Sequence, residues 1–318
     1  MKEKAPLDLG YRMFLIDGFD FGLPERTGTY VIREEALTLV ETGPSPSVPH
    51  IRAGLHKLGY SLEQVKYIIL THIHLDHAGG AGLLLQECPQ ATIVVHPKGA
   101  RHIVDPSRLI AGAKAVYGEQ FESLYHPIVP VPEDRILVRQ EGETLPIGPD
   151  CTLQFFDTPG HANHHFSIYD PVSNGMFTGD TTGVYYCQLL SEGLSFFLPS
   201  TSPNQFDPDK MTRSIARFRE MNLDRLYFGH FGMTEQVEEA FRQVTEWLPV
   251  FLAEGEAAWK DGLGHEAIRD RLFSRVNAYL QQQGVRNDHP AFDLIKLDLG
   301  VCAMGLLDYY EKKESVRS

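Results

Sequence analysis

Short apolar runs separated by turn residues open the chain. Met13-Phe14-Leu15-Ile16, Thr29-Tyr30-Val31-Ile32 and Leu37-Thr38-Leu39-Val40 read as three antiparallel strands. A helix is expected from about Pro49 to Lys57, stopped by Gly59, and a short one near Leu62 to Val65. The β-branched and aromatic run from Val65 to Leu70 is the next strand. Helix signals cover Ala78 to Leu85, Pro97 to Val104 and much of 105–127, with a strand at 91–95 between the first two. Strands resume at Ile136 to Val138 and Thr152 to Phe156, and Phe166 to Tyr169 with Pro171 to Gly175 is a hairpin signal. Asp207-Pro208 has the form of a helix start, a capping residue before proline, for a helix running to about Met221. Leu226-Tyr227-Phe228 is the last strand.

From Thr234 the pattern changes period and stays helical, over about 234–260, 264–283 and 290–312. In the third stretch Phe292, Ile295, Leu299, Cys302 and Leu306 fall at helical spacing, as a core or dimer contact would. The expected class is therefore α+β, with a mixed region at 1–233 and a helical extension at 234–318.

Composition narrows the setting. A chain of 318 residues with 42% hydrophobic and 22% charged residues can build an ample core. No apolar stretch approaches the ~20 residues of a membrane span. The charged N-terminus lacks an apolar signal core, so a cytoplasmic location is expected. The four cysteines are scattered, which suits free thiols in a reducing compartment. A net charge of -13 argues against a nucleic-acid partner, because phosphate contacts need clustered Lys and Arg.

The chemistry is concentrated in Thr71-His72-Ile73-His74-Leu75-Asp76-His77-Ala78-Gly79-Gly80, directly after a strand. Three imidazoles and a carboxylate within six residues suit a borderline divalent cation better than they suit packing. Three later apolar segments each end in a candidate ligand: Asp157-Thr158-Pro159-Gly160-His161, Thr178-Gly179-Asp180 and Gly229-His230.

This ordered set resembles the His-x-His-x-Asp-His pattern and later ligand loops of the metallo-β-lactamase superfamily. The resemblance implies an αββα sandwich, with 1–233 as the catalytic domain and 234–318 as a C-terminal helical extension. It implies two divalent ions, zinc first, with manganese or iron as alternatives. His72, His74 and His161 would bind one ion, Asp76, His77 and His230 the other, and Asp180 would bridge them. A metal-bridging hydroxide would then attack a thioester, lactone or other ester of a small molecule, with Asp76 orienting water or moving a proton. His165 fits a supporting place beside the ligands. Glu41-Thr42-Gly43 stands where the family often has Asp-Thr-Gly, and reads either as a strand end with a glycine turn or as a brace for the metal loop. Tyr185 and Tyr186, in the turn-rich segment 181–206, read either as core packing or, like a Tyr near this point in similar lactonases, as donors to a polarised substrate carbonyl. The helical C-terminus is similar to the glyoxalase II branch, but Thr181 to Tyr185 lacks that enzyme's usual segment and no basic glutathione-binding cluster is evident. The competing class is an iron-dependent oxidoreductase of the same fold, persulfide dioxygenase-like or diiron. A small-molecule substrate, no membrane partner and a homodimer are the remaining expectations.

Overall fold

In the computed structural model, residues 4–315 are described. Seven strands follow one another in both sequence and space: β1 (Leu7–Asp8), β2 (Met13–Asp17), β3 (Gly28–Ile32), β4 (Leu37–Val40), β5 (Val65–Ile69), β6 (Thr92–Val95) and β7 (Ile136–Val138). Strands β1 to β4 are antiparallel, and β4 to β7 are parallel. The change of direction follows from the connections. Parallel neighbours need a crossover, and the chain supplies α1 (Val48–Lys57) between β4 and β5. Between β5 and β6 it supplies α2 (Leu75–Ala78) and α3 (Ala81–Glu87). Between β6 and β7 come α4 (Pro97–Val104), α5 (Ser107–Tyr117) and α6 (Phe121–Tyr125).

A second sheet takes β8 (Thr144–Gly148), β9 (Cys151–Asp157), β10 (Phe166–Asp170) and β11 (Gly175–Gly179). Next in the chain come a separate two-stranded ribbon, β12 (Val184–Tyr185) and β13 (Phe197–Leu198), and a helix, α7 (Pro208–Glu220). The chain then returns to the second sheet with β14 (Arg225–Phe228), parallel to β11, and β15 (Met233–Thr234). Three long helices follow: α8 (Val237–Lys260), α9 (His265–Gln282) and α10 (Ala291–Ser315).

Two compact units share these elements. The first comprises Met1–Asp157, His164–Gly179 and Leu223–Glu235, and the second Thr158–Asn163, Asp180–Asn222 and Gln236–Ser318. The helical stretch after 234 falls almost wholly in the second unit, where it is joined by two earlier segments.

Both sheets belong to the first unit. In the first sheet alternate side chains separate cleanly: Ile16, Val31, Leu39 and Ile68 join Ile51 and Leu55 of α1 and Leu84 of α3 in one apolar core. Tyr30, on the opposite face from Val31, turns towards the second sheet, its ring 5.2 Å from Phe177 and 5.5 Å from Tyr227. Its hydroxyl points its proton at the Phe228 and Gly232 carbonyls, at 2.7 and 2.6 Å. Such strands, covered on both faces, explain why their sequences are nearly continuous apolar runs. Arg12 adds a polar tie, donating to both carboxylate oxygens of Asp170 on β10, at 3.3 and 2.9 Å.

In the second unit, Gln243 of α8 fixes the ribbon by accepting the Phe197 N–H at 3.0 Å and donating to the Ser195 carbonyl at 2.9 Å. Phe196 packs among Trp247 and Tyr279. The expected stripe on α10 is interior, with Ile295, Leu299 and Leu306 essentially inaccessible. Asp207 caps α7 by accepting the Lys210 N–H at 3.0 Å, as its sequence form implies.

Candidate metal centre

The His-rich segment leaves the carboxyl end of the parallel strand β5, the end at which open sheets present ligand sites. Its backbone is pinned on three sides. Glu41 Oε1 accepts the Thr71 N–H at 3.1 Å, the Thr71 carbonyl accepts the Phe166 N–H at 2.9 Å, and the His77 carbonyl accepts from Thr42 through both N–H and hydroxyl, at 2.9 and 3.0 Å. Glu41 reaches this position with φ 69°, a left-handed conformation that non-glycine residues adopt at some cost. Of the two readings left open for Glu41, the structure supports the brace.

Within the first unit the histidines converge. The His72 ring lies 4.2 Å from that of His77, 4.7 Å from His74 and 5.1 Å from His165, and His77 lies 5.2 Å from His230. Asp76 Oδ2 stands 3.6 Å from His77 Nε2 and 3.8 Å from His230 Nε2. Asp76, His77 and His230 each offer a ligand atom, and the three atoms lie within 4.8 Å of one another. Neutral imidazole and carboxylate donors in a largely buried setting suit zinc, manganese or iron(II). Thr71 Oγ1 is 3.0 Å from His72 Nδ1, a contact that orients the ring.

Several close approaches depend on glycine. Gly179, at the end of β11, has φ 47°, and a Cβ there would lie 2.4 Å from His165 Nε2 and 2.6 Å from Thr71 Oγ1. The Gly229 N–H donates to the Gly179 carbonyl at 3.3 Å, which brings the end of β14 and hence His230 alongside. His165 therefore sits against the metal loop, in the supporting place expected for it. His164 is also near, its ring 5.4 Å from that of His74.

His161 and Asp180 belong to the second unit and are brought together there, His161 Nε2 lying 3.6 Å from Asp180 Oδ2. His161 Nδ1 is 3.1 Å from the Ser200 carbonyl, and a carbonyl can only accept. The Nδ1 therefore carries the proton, and Nε2 keeps the lone pair that a metal needs. The Ser200 hydroxyl donates to Asp180 Oδ2 at 3.2 Å, and Ser202 Oγ stands 3.2 Å from His161 Nε2. These serines had no signal in the sequence beyond lying in the turn-rich stretch after Asp180.

Tyr185 and Tyr186 are interior residues of the second unit. Tyr185 stacks on Phe197 at 4.7 Å, and the Tyr186 hydroxyl donates to Asp298 Oδ2 at 3.2 Å. These partners are the ones that core packing, the first of the two readings of both tyrosines, would give them. The ribbon sets Tyr185 against Phe197 where β12 pairs with β13, and just past its end the Tyr186 N–H donates to the Phe196 carbonyl at 2.9 Å; both rings are buried.

A buried pair near the metal loop was not foreseen. Asp20 is fully buried and accepts from Arg26 Nε at 2.9 Å. Burial pushes the Asp20 carboxyl up to about 6, while Arg26 pulls it down; Asp76 raises it further, and His230 and His77 lower it. Its sequence context, Phe19-Asp20-Phe21-Gly22, has no periodicity to betray burial.

Comparison with known proteins agrees with this geometry. The sequence model of the metallo-beta-lactamase superfamily matches residues 24–230. The chain is 26% identical over 227 residues to the metallo-beta-lactamase fold-containing protein ST1585 of Sulfurisphaera tokodaii, covering 70% of this chain and 79% of that protein. It is 24% identical to a hydroxyacylglutathione hydrolase of Hydrogenovibrio crunogenus, covering 66% of this chain and only 61% of that enzyme. Among solved structures, the metallo-beta-lactamase family protein TTHA1429 from Thermus thermophilus superposes with a TM-score of 0.65 at 21% identity, covering 96% of this chain and 95% of that one. With the family model matching residues 24–230, most of the chain, and with two β-sheets, helices, a C-terminal helical region and a His-rich loop after β5, the chain belongs to the metallo-beta-lactamase superfamily.

Proposed function

We propose that the protein is a binuclear metal-dependent hydrolase of a small-molecule thioester, lactone or other ester. The observation that carries the proposal is the Asp76, His77 and His230 group, three donors of the right chemistry within 4.8 Å, just past the ends of β5 in the first sheet and β14 in the second. In this reading those three residues hold one ion. His72, His74 and His161 would hold the other and Asp180 would serve both, an assignment made from the order of the ligand loops in the sequence. When bound, two divalent ions supply a hydroxide near neutral pH and polarise a carbonyl.

The chain's own residues do the rest. Asp76, about one-sixth exposed, is the residue of its group that solvent reaches most easily, and its carboxylate orients water or moves a proton. Glu41 and Thr42 hold the metal loop by its backbone, so the donors need not reorganise. The Ser200 carbonyl fixes the His161 tautomer. Cys187 lacks a neighbouring base in the sequence and plays no part.

Zinc is the proposed metal, and the cytoplasm the proposed location. No helix among the described residues is long and apolar enough to cross a membrane. The decisive experiment counts metals in protein purified without supplementation, then screens p-nitrophenyl esters, thioesters and lactones. About two zinc or manganese ions per chain with hydrolysis is the expected result. Iron with oxygen uptake would transfer the protein to the oxidoreductases of this fold, and a chain that binds no metal tightly would end the proposal.

A further inference from the structure

The segment that follows β13 in the second unit has two sides. Pro199-Ser200-Thr201-Ser202-Pro203 carries three hydroxyl residues in a row, and they turn to different neighbours. Ser200 and Ser202 serve the candidate ligands. The Ser200 carbonyl accepts from His161 Nδ1 at 3.1 Å, the Ser200 hydroxyl donates to Asp180 Oδ2 at 3.2 Å, and Ser202 Oγ lies 3.2 Å from His161 Nε2. With the Nδ1 proton committed to the Ser200 carbonyl, the Ser202 hydroxyl is the donor in that last contact, so it meets the lone pair that a metal would take. Thr201 turns the other way. It is fully buried, and its hydroxyl donates to the Cys302 carbonyl of α10 at 2.9 Å.

Helix α10 holds the segment at several points along its length. Cys302 Sγ donates to the Pro199 carbonyl at 3.7 Å, the Asp308 carboxylate accepts the Asn204 N–H at 3.2 Å, Lys312 Nζ donates to the Asn204 carbonyl at 2.8 Å, and the Tyr309 ring meets Phe206 edge-on at 5.7 Å. Positions 302, 305, 309 and 312 recur every three or four residues and so share one face of the helix. Gly305 is the point of closest approach: a Cβ there would stand 1.8 Å from the Thr201 carbonyl oxygen and 2.6 Å from the Ser202 carbonyl carbon. It lies inside a helix, so its conformation does not call for glycine, whereas the close approach does. Plain packing of a loop on a helix would account for Thr201 and Gly305. It would not make the residues on both sides of Thr201 turn to His161.

We propose that Thr201 and Gly305 are positioning residues of the metal centre: through them α10 fixes Ser200 and Ser202, which hold the His161 ring and the Asp180 carboxylate, 3.6 Å apart, ready for a divalent ion. The C-terminal helical region then sets how tightly that ion is held. The proposal rests on the reading of His161 and Asp180 as ligands, and not on which bond the protein cleaves.

The test titrates the metal-free full chain with zinc against a chromophoric chelator, and reads the tautomer of His161 from the nitrogen NMR shifts of its ring. Wild type is expected to hold two zinc ions. Thr201→Val, similar in shape but without the hydroxyl, weakens one of them about 10- to 100-fold and leaves the other within about threefold. In the metal-free protein it also turns a single tautomer, protonated at Nδ1, into a mixture. Thr201→Ser keeps the hydroxyl and restores both readouts. Gly305→Ala, which pushes on the Thr201 backbone, is at least as damaging as Thr201→Val. Leu280→Ala truncates a fully buried side chain of α9 in the same unit and lowers stability, yet keeps both affinities within about threefold. Unchanged zinc affinity in both Thr201→Val and Gly305→Ala, or an equal loss in Leu280→Ala, overturns the proposal. If the variants behave as expected while wild type cleaves no ester, thioester or lactone, the brace stands and the hydrolase reading falls. A wild type that holds no zinc also ends the hydrolase reading. A His161 tautomer that is single in wild type and mixed in Thr201→Val then upholds the brace, and the same tautomer in both overturns it.

Discussion

Glu41 Oε2 stands 3.6 Å from Nδ1 of His77, with both side chains almost wholly buried. The same carboxylate holds the Thr71 backbone, so one acidic residue braces the metal loop at its start and faces a ligand at its far end. Glu41→Gln keeps an oxygen for the Thr71 N–H but loses the charge beside His77. Apparent zinc affinity is expected to fall about 10- to 100-fold, as for other residues that orient metal ligands. Competition with a chromophoric chelator measures it; affinity within twofold of wild type would show that the charge is irrelevant.

Arg26 and Asp20 form a pair whose separation should be expensive. Arg26→Leu leaves a buried carboxylate without its partner, a change of about 3–5 kcal/mol at neutral pH. The Asp20 carboxyl is already raised, to about 6, above its ordinary value. An acid raised in the folded state favours folding when protonated, and that gain is lost as pH rises through the folded value. Without Arg26 the carboxyl rises further, so the deficit of the variant should grow between pH 5 and pH 7. Adding Asp20→Asn should recover much of it. Urea titrations at the two pH values decide, and a deficit independent of pH would count against the charge-pair account.

The Arg12 and Asp170 pair behaves in the opposite sense. Burial alone would raise the Asp170 carboxyl, but hydrogen bonds from Arg12 and Ser173 outweigh it, and the net shift is downward. A depressed acid contributes stability above its unfolded value near ~3.9, and loses that contribution as pH falls towards the folded value. Asp170→Asn should therefore cost about 3–5 kcal/mol at pH 7 and progressively less below pH 4. Chemical denaturation of both proteins at pH 7 and pH 3.5 reads the difference directly. A gap that widens on acidification is the contrary result.

Two helical glycines of the first unit should respond in opposite directions to alanine. A Cβ on Gly82, in α3, would stand 1.9 Å from the Val129 carbonyl oxygen, and that backbone cannot yield cheaply. Gly82→Ala is expected to cost about 3 kcal/mol or more. Gly112, in α5, has nothing within 4 Å, and Gly112→Ala should gain about 0.5–1 kcal/mol by restricting the unfolded chain. Thermal melts of the metal-loaded variants suffice, and similar shifts for both would refute the packing argument.

Much of this protein could be read from residue order. The metal loop announces itself because ligating side chains of one chemical kind follow a strand at once, and local spacing alone puts them together. The same holds for the Asp207 cap of α7, for the β10 and β11 hairpin and for the three C-terminal helices, whose periods depend only on neighbours along the chain. Glu41 was visible as a candidate, but its role depended on the direction of its side chain. Tertiary structure decided what depends on contacts distant in sequence. It buried Tyr185 where β12 pairs with β13 and Tyr186 just past the end of that pair, and it buried Asp20 against Arg26 through a loop without periodicity. It also set Tyr117 and Tyr125, some forty residues beyond the ligands, against Leu75 of the metal loop. Local order fixes which groups can bind a metal, whereas the long-range packing of apolar surfaces fixes which other groups face the metal loop.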